Sequence, residues 1–134
     1  MSFTNFQKYI EDYFPGKPIS VSNDIIPSIK NMIKKSLFSV KRKLNPDNRK
    51  YCFEIFGYDF IIDADFNVWL IEINTNPCLE LSSQLLKQLI PRMVDDAFKL
   101  TLDIIFPPIP QYYNIPRKTY PVDNYDIKEN LWFL

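Results

Sequence analysis

The chain has 134 residues, which is enough for one domain with a modest hydrophobic core. It contains 16 basic residues (lysine and arginine) and 16 acidic ones (aspartate and glutamate), so its formal net charge is zero. A zero balance gives no whole-molecule attraction to nucleic acid or to a membrane surface, and we expect neither as a partner. No apolar run is long enough to cross a bilayer and the amino terminus lacks a signal-peptide pattern, so we expect a cytoplasmic protein.

Histidine is absent and there are only two cysteines, Cys52 and Cys78. The absence of histidine excludes the common zinc sites and imidazole acid–base chemistry. Two cysteines are also too few for a disulfide scaffold. We expect both to be reduced, semi-buried packing residues.

Two helices are predicted in the first part of the chain. Aromatic and apolar residues recur at helical intervals from Phe3 to Tyr13, and a Pro-Gly-Lys-Pro sequence follows. Asn23 or Asp24 caps a second helix, whose apolar face runs from Ile26 to Leu44 before an Asn-Pro-Asp sequence stops it.

The second helix and the residues after it are locally basic, although the whole chain is neutral. A solvated helix face explains this pattern most simply, and the alternative is a docking surface for an acidic partner. The basic residues are Lys30, Lys34, Lys35, Lys41, Arg42, Lys43, Arg49 and Lys50.

The strongest strand signal lies between Tyr51 and Glu80, where two apolar, aromatic-rich runs flank the short polar sequence Ala-Asp-Phe-Asn. This pattern predicts a β-hairpin. With Asp63 placed opposite Val68, one face of the hairpin is wholly apolar and is predicted to face the core. Its pairs are Tyr58 with Ile73, Phe60 with Ile71 and Ile62 with Trp69.

The other face of the predicted hairpin places Asp59 opposite Glu72 and Gly57 opposite Asn74, with Ile61 and Leu70 as apolar neighbours. Like charges directly opposite on antiparallel strands destabilise a sheet, so a shared proton or a divalent cation is expected to compensate. The Asn74 side chain adds a neutral oxygen ligand suited to Mg²⁺, and Gly57 leaves bare backbone where phosphates could approach. The alternative is that both carboxylates simply face water.

A further helical tract begins near Ser82-Ser83, is interrupted at Pro91 and resumes to Ile105, which predicts one kinked helix or two abutting helices. Asp95-Asp96 falls on its polar side and is expected to be solvated. The elements together predict an α+β fold in which an antiparallel hairpin is packed by amphipathic helices.

The end of the chain is rich in proline and tyrosine, so it is too aromatic for a free linker. We expect residues 107–134 to form a tail that wraps a domain of residues 1–106, with a short last strand near residues 131–134.

The segment FEIFGYDFIIDADFNVWLIEINTNPCLE resembles the closing motif of the tubulin–tyrosine ligase-like family, ATP-grasp enzymes that join an amino acid to a protein carboxyl group. The match covers FE-x-x-G-x-D-F on the first strand and W-L-[IL]-E-[IV]-N-x-x-P on the second. In that family the matching side chains hold the Mg²⁺ that bridges the ATP phosphates. The resemblance therefore implies Asp59, Glu72 and Asn74 as ligands of Mg²⁺ or Mn²⁺, with Gly57 and Asn74 beside ATP.

The resemblance implies the last lobe of an ATP-grasp fold, belonging to a ligase that adds tyrosine, glutamate or glycine to tubulin or another acidic-tailed protein through an acylphosphate. It also implies a cytoskeletal or ciliary location. The upstream lobes that carry the adenine pocket have no counterpart in the sequence, so we expect the chain alone to be incomplete and inactive. The alternative is a catalytically silent module that binds tubulin.

Overall fold

A computed structural model describes residues 1–107, 118–123 and 125–132 of the chain. It confirms the predicted α+β class, with an antiparallel two-stranded sheet and amphipathic helices. Within the described residues, no helix is both long and apolar enough to cross a membrane. The elements in chain order are α1 (Phe3–Tyr13), a π-helical turn (Val21–Ile25), α2 (Ile26–Leu44), β1 (Gly57–Ile62), β2 (Val68–Asn74), α3 (Gln84–Leu100) and α4 (Leu102–Ile105).

The contacts divide the chain into two compact units. One unit comprises Met1–Lys50 with Glu54–Pro77, and the other comprises Tyr51–Phe53 with Cys78–Leu134. The domain boundary that the sequence suggests between residues 106 and 107 stays a prediction.

The first unit is built around a small apolar core that joins α1, α2 and the hairpin. Ile10, Val21, Ile25 and Val68 are its buried centre. Such burial removes apolar surface from water and is the main force holding helices and sheet together. The partly buried residues packed around this centre are Phe6, Ile19, Ile26, Ile29, Met32, Phe60, Ile62 and Phe66.

The hairpin register agrees with the predicted one at the base and departs from it at the tip. Gly57 pairs with Asn74, Tyr58 with Ile73 and Asp59 with Glu72, as predicted. Beyond Asp59 a β-bulge shifts the pairing by one residue. The remaining pairs are Phe60 with Leu70, Ile61 with Trp69 and Ile62 with Val68.

This bulge changes which side chains of β2 face the core. Val68 is only 6% exposed, whereas Trp69 and Ile71 are 57% and 61% exposed. The predicted core pairs of Phe60 with Ile71 and Ile62 with Trp69 are therefore wrong, because a one-residue shift moves a strand's side chains to the opposite face. Leu70, predicted beside Asp59, lies instead opposite Phe60 on the core face.

The length of the turn explains the shift. The Asp63 amide donates to Asn67 O at 3.0 Å, so three residues rather than four form the loop. Phe66 adopts a left-handed backbone with φ of 63°, as three-residue hairpin loops require. Its ring packs edge-on against Phe14 with ring centroids 5.3 Å apart, which stabilises an otherwise unfavourable conformation for a bulky residue.

Asp63 organises this turn through four hydrogen bonds. Its Oδ1 accepts from the amides of Asp65 and Asn67, each at 2.9 Å. Its Oδ2 accepts from the Asn67 side chain and from Trp69 Nε1, each at 3.0 Å. The bonds from the side chains of Trp69 and Asn67 lower the pKa of Asp63 to about 2.

A glycine is favoured at position 57 because Pro77 lies close to the base of the hairpin. A Cβ at position 57 would lie 3.0 Å from Pro77 Cβ and 3.6 Å from Asn74 Cβ. The first distance is tighter than ordinary van der Waals contact, and the proline ring has little freedom to move. Gly16, in contrast, has nothing within 4 Å of the same point.

The second unit contains a buried ion pair on α3. Asp96 accepts from Arg92 Nε at 2.7 Å and from Lys99 Nζ at 2.6 Å, and its side chain is fully buried. The prediction that Asp96 is solvated is therefore wrong. Burial acts to raise the pKa of Asp96, but the hydrogen bonds from Lys99 and Arg92 outweigh it and leave the pKa below its usual value.

The buried pair also holds the described part of the tail. Arg92 donates to the carbonyl oxygens of Tyr120, Asp126 and Glu129, and the Leu131 amide donates to Asp96 Oδ2 at 3.0 Å. The periodicity of the sequence within α3 could not predict these contacts, because they join residues about 30 positions apart or more.

Other expectations for this unit have mixed outcomes. α3 continues through Pro91, and the break comes at Thr101, before α4. Of the predicted last strand, residues 131 and 132 form a turn, and residues 133 and 134 lie outside the described residues. Cys52 and Cys78 are not joined in a disulfide, as expected, but both are exposed rather than semi-buried.

The Gly57→Ala substitution should lower the free energy of unfolding by about 1 kcal/mol, because the new methyl group would push against Pro77. Gly16→Ala is the matched control, since a methyl group there meets only solvent and reduces the freedom of the unfolded chain. Thermal unfolding of both variants tests this. Equal melting temperatures for the two variants would show that Pro77 does not constrain position 57.

Acid should loosen the hairpin turn through Asp63. Because the folded pKa is lowered from 3.8 to about 2, the carboxylate stabilises the turn above pH 3.8, and this stabilisation is lost as pH falls toward 2. The nuclear magnetic resonance (NMR) signal of the Trp69 indole N–H should follow this titration. The Trp132 indole is an internal control, because it donates to Met93 O rather than to a carboxylate.

Asp63→Asn should abolish the response of Trp69, since an amide group does not titrate. A Trp69 signal that titrates unchanged in this variant would contradict the assignment.

Candidate metal site on the hairpin

The hairpin brings three candidate ligands together on one face of the sheet. Asp59 lies directly opposite Glu72, and Asn74 lies two residues further along β2. Because side chains alternate along a strand, Glu72 and Asn74 point to the same side. The structure therefore brings together the three residues that the sequence singles out.

The amide group of Asn74 bridges the two carboxylates. Its Nδ2 atom donates to Asp59 Oδ2 and to Glu72 Oε1, each at 3.1 Å. The sequence predicts a shared proton or a cation as compensation for the facing like charges. In the structure, the two amide hydrogens of Asn74 provide this compensation, one to each carboxylate.

The chemistry of these three side chains fits a hard divalent cation. Two carboxylates and an amide oxygen form an oxygen-only donor set, which Mg²⁺, Mn²⁺ and Ca²⁺ prefer. Asp59 and Glu72 are exposed, so other coordination positions are open to water or to substrate oxygens. Within the described residues, no group of three or more acidic, cysteine or histidine side chains could hold a metal. That finding does not bear on a site of two carboxylates and one amide oxygen, and such sparse protein ligation is compatible with Mg²⁺, which keeps several waters.

Gly57 occupies the expected position opposite Asn74. Pro77, however, lies close to the side of Gly57 where a side chain would project. The close approach of Pro77 gives Gly57 a packing role that the sequence reasoning missed. The Asn-Thr-Asn-Pro sequence after β2 predicts a turn, and such a turn returns Pro77 toward the end of the hairpin. The contact of Gly57 with phosphates stays a prediction.

An exposed apolar patch borders the acidic pair on the same face. Ile61 and Trp69 face each other next to Asp59 and Glu72 and are 55% and 57% exposed. The Trp69 ring is held in place by its hydrogen bond to Asp63. Two exposed apolar side chains therefore border the candidate ligands.

Comparison with known proteins identifies the family. The model of the tubulin-tyrosine ligase family matches residues 2–111. Over 79 residues (59% of this chain), the sequence is 42% identical to tubulin glycylase 3D of Tetrahymena thermophila. It is 33% identical to the human protein monoglycylase TTLL8 over 100 residues (75% of the chain) and 37% identical to the mouse probable tubulin polyglutamylase TTLL9 over 79 residues (59%).

The chain spans only a small part of these relatives: 7% of the glycylase, 11% of the monoglycylase and 16% of the polyglutamylase. The match of the family model nevertheless covers most of the chain and includes the whole hairpin. The chain therefore belongs to the tubulin–tyrosine ligase family.

Proposed function

We propose that the chain is the carboxy-terminal part of an ATP- and Mg²⁺-dependent ligase that adds tyrosine, glutamate or glycine to tubulin or another protein. Its family membership supports protein–amino-acid ligation as the reaction class. The relatives named as a glycylase, a monoglycylase and a polyglutamylase support the addition of an amino acid. The observation that carries the proposal is the convergence of Asp59, Glu72 and Asn74 on one face of the hairpin.

In this proposal Asp59 and Glu72 hold Mg²⁺ through their carboxylate oxygens, and Asn74 contributes its amide oxygen. Mn²⁺ has the same preference for oxygen and would substitute. The bound cation would neutralise negative charge on the ATP phosphates, for which Gly57 and Asn74 would form part of the binding surface.

The residues around the site keep its carboxylates in position before any cation binds. The amide bridge of Asn74 holds Asp59 and Glu72 side by side despite their like charge. The tip of the hairpin is fixed by Lys17, whose Nζ donates to Ala64 O at 2.6 Å and to Asp65 Oδ1 at 2.9 Å. When a cation binds, the Asn74 amide has to rotate so that its oxygen rather than its nitrogen faces the ion.

The proposed reaction activates a carboxylate as an acylphosphate, with ADP as the other product. An amine then attacks the acyl carbon, an amide bond forms and phosphate leaves. The chain spans 7–16% of the relatives named above. We therefore assign the nucleotide pocket and the acceptor site to further segments of a longer ATP-grasp protein. In this proposal the protein acts in the cytoplasm, on the cytoskeleton or in a cilium.

Glu72→Gln should weaken the binding of Mg²⁺ or Mn²⁺ at least about ten-fold, because it removes one of two anionic ligands. Calorimetric titration of the wild type and the variant measures this. Glu80→Gln is the matched control, since Glu80 is also exposed but lies outside the site. Without metal, Glu72→Gln should melt no lower than the wild type, because the substitution relieves like-charge repulsion. Equal metal affinity in all three proteins would refute the site.

A further inference from the structure

A small polar cavity lies in the second unit, where α3 and the described part of the tail meet. Its volume is about 60 Å³. One buried water needs about 10–15 Å³, so the cavity has room for a group of several atoms. Its lining includes Arg92, Asp95 and Lys99 from α3, and Lys118, Thr119 and Tyr120 from the tail.

Positive charge exceeds negative charge around this cavity. Lys99 Nζ lies 2.9 Å from Asp95 Oδ2 and 2.6 Å from Asp96 Oδ1. Arg92 Nε also donates to Asp96, at 2.7 Å. The ion pairs between described residues do not involve Lys118. Three cations therefore accompany two carboxylates, which leaves one net positive charge.

Arg92 contributes a donor at the buried side of the cavity. Its side chain is 1% exposed and carries five N–H hydrogens. Four of them bond to described residues: Nε to Asp96, Nη1 to Tyr120 O, and Nη2 to the carbonyl oxygens of Asp126 and Glu129. The Nη1 bond is long, at 3.4 Å, and the second Nη1 hydrogen has no acceptor in the described part of the chain. Because Arg92 and Tyr120 both line the cavity, we expect this hydrogen to be accessible from it.

Attachment of the tail explains only part of this arrangement. It accounts for the burial of Arg92 and Asp96, which bond to the tail directly, but not for the third cation, Lys118. Burial acts to lower the pKa of Lys99, but the hydrogen bonds to Asp96 and Asp95 outweigh it and leave the pKa above its usual value. Lys99 therefore stays charged at neutral pH, and the excess of positive charge persists there.

We propose that this cavity binds a small tetrahedral oxyanion of the phosphate class. The ammonium groups of Lys99 and Lys118, the spare Arg92 hydrogen and the Thr119 hydroxyl group would donate to its oxygens. Such an anion would join α3 to the tail, since each of them supplies two of these donors. Binding of the anion and docking of the tail then stabilise each other.

The size and the donors of the cavity favour a free phosphate-class ion over other anions. A tetrahedral oxyanion offers four oxygen acceptors to the four donor residues, whereas a carboxylate offers two. A pocket for a drug-sized ligand has about 300–1,000 Å³, so a whole nucleotide would not fit into this cavity. The cavity shares no residue with the metal site, so the two proposals stand or fall separately.

An NMR titration of the full chain, in which phosphate replaces chloride at constant ionic strength without divalent metal, tests the proposal. The side-chain N–H signals of Arg92 should shift and saturate, whereas the Trp69 indole signal should stay in place. Lys118→Gln should weaken phosphate binding about three-fold, because it removes one partly exposed cation. Lys87→Gln is the matched control, since it makes the same charge change on an exposed residue of α3 outside the cavity. It should leave the affinity unchanged.

Asp95→Asn provides a test with the opposite sign. It removes a negative charge from the lining and should tighten phosphate binding about three-fold, which loss of structure would not do. Circular dichroism confirms that each variant is folded. Acetate, titrated in the same way, should bind more weakly than phosphate.

Three outcomes would overturn the proposal. A shift that does not saturate, or that is equal in the wild type, Lys118→Gln and Asp95→Asn, would indicate an adventitious ion only. Tighter binding of acetate than of phosphate would contradict the tetrahedral class. Glu72→Gln should bind phosphate like the wild type, so failure of phosphate binding with intact Mg²⁺ binding would remove this inference alone.

Discussion

Two carboxylates face each other across the antiparallel strands β1 and β2. This arrangement is the constraint on which the candidate site depends. Asp59 faces Glu72, and a single amide group, that of Asn74, donates to both. Like charges in such positions cost stability, so this arrangement conflicts with the stability of the sheet alone. Conflicts of this kind are expected where function rather than stability has selected the residues. In the proposed function a Mg²⁺ ion held by these three side chains would compensate the facing charges, as the Asn74 amide hydrogens do in the structure.

The two strands of the hairpin pair in one register at the base, where this arrangement lies, and in another register near the turn. A three-residue loop sets the register at the tip one residue away from the register at the base, and the bulge after Asp59 reconciles the two. Alternation of apolar and polar residues predicted the base, including every member of the candidate site. It could not predict the tip, because loop length was uncertain by one residue and one residue exchanges the faces of a strand. The burial of Asp96 was likewise unpredictable, since it depends on bonds to residues far along the chain.

Charge is segregated within the first unit although the chain as a whole is neutral. The inner face of α2 packs against the core that it shares with the apolar side of the sheet. Most of the exposed lysine and arginine side chains of α2 therefore point away from the sheet, and the acidic pair lies on the side of the sheet that faces away from α2. The two surfaces therefore carry opposite charge, with exposed cations on α2 and the carboxylates of Asp59 and Glu72 on the hairpin.

Anomalous diffraction from a crystal of the chain soaked in Mn²⁺ tests the central claim most directly. The account predicts a peak bounded by carboxylate oxygens of Asp59 and Glu72, with the Asn74 amide rotated so that its oxygen faces the ion. Mn²⁺ bound elsewhere, with the Asn74 amide nitrogen still bridging the two carboxylates, would contradict it.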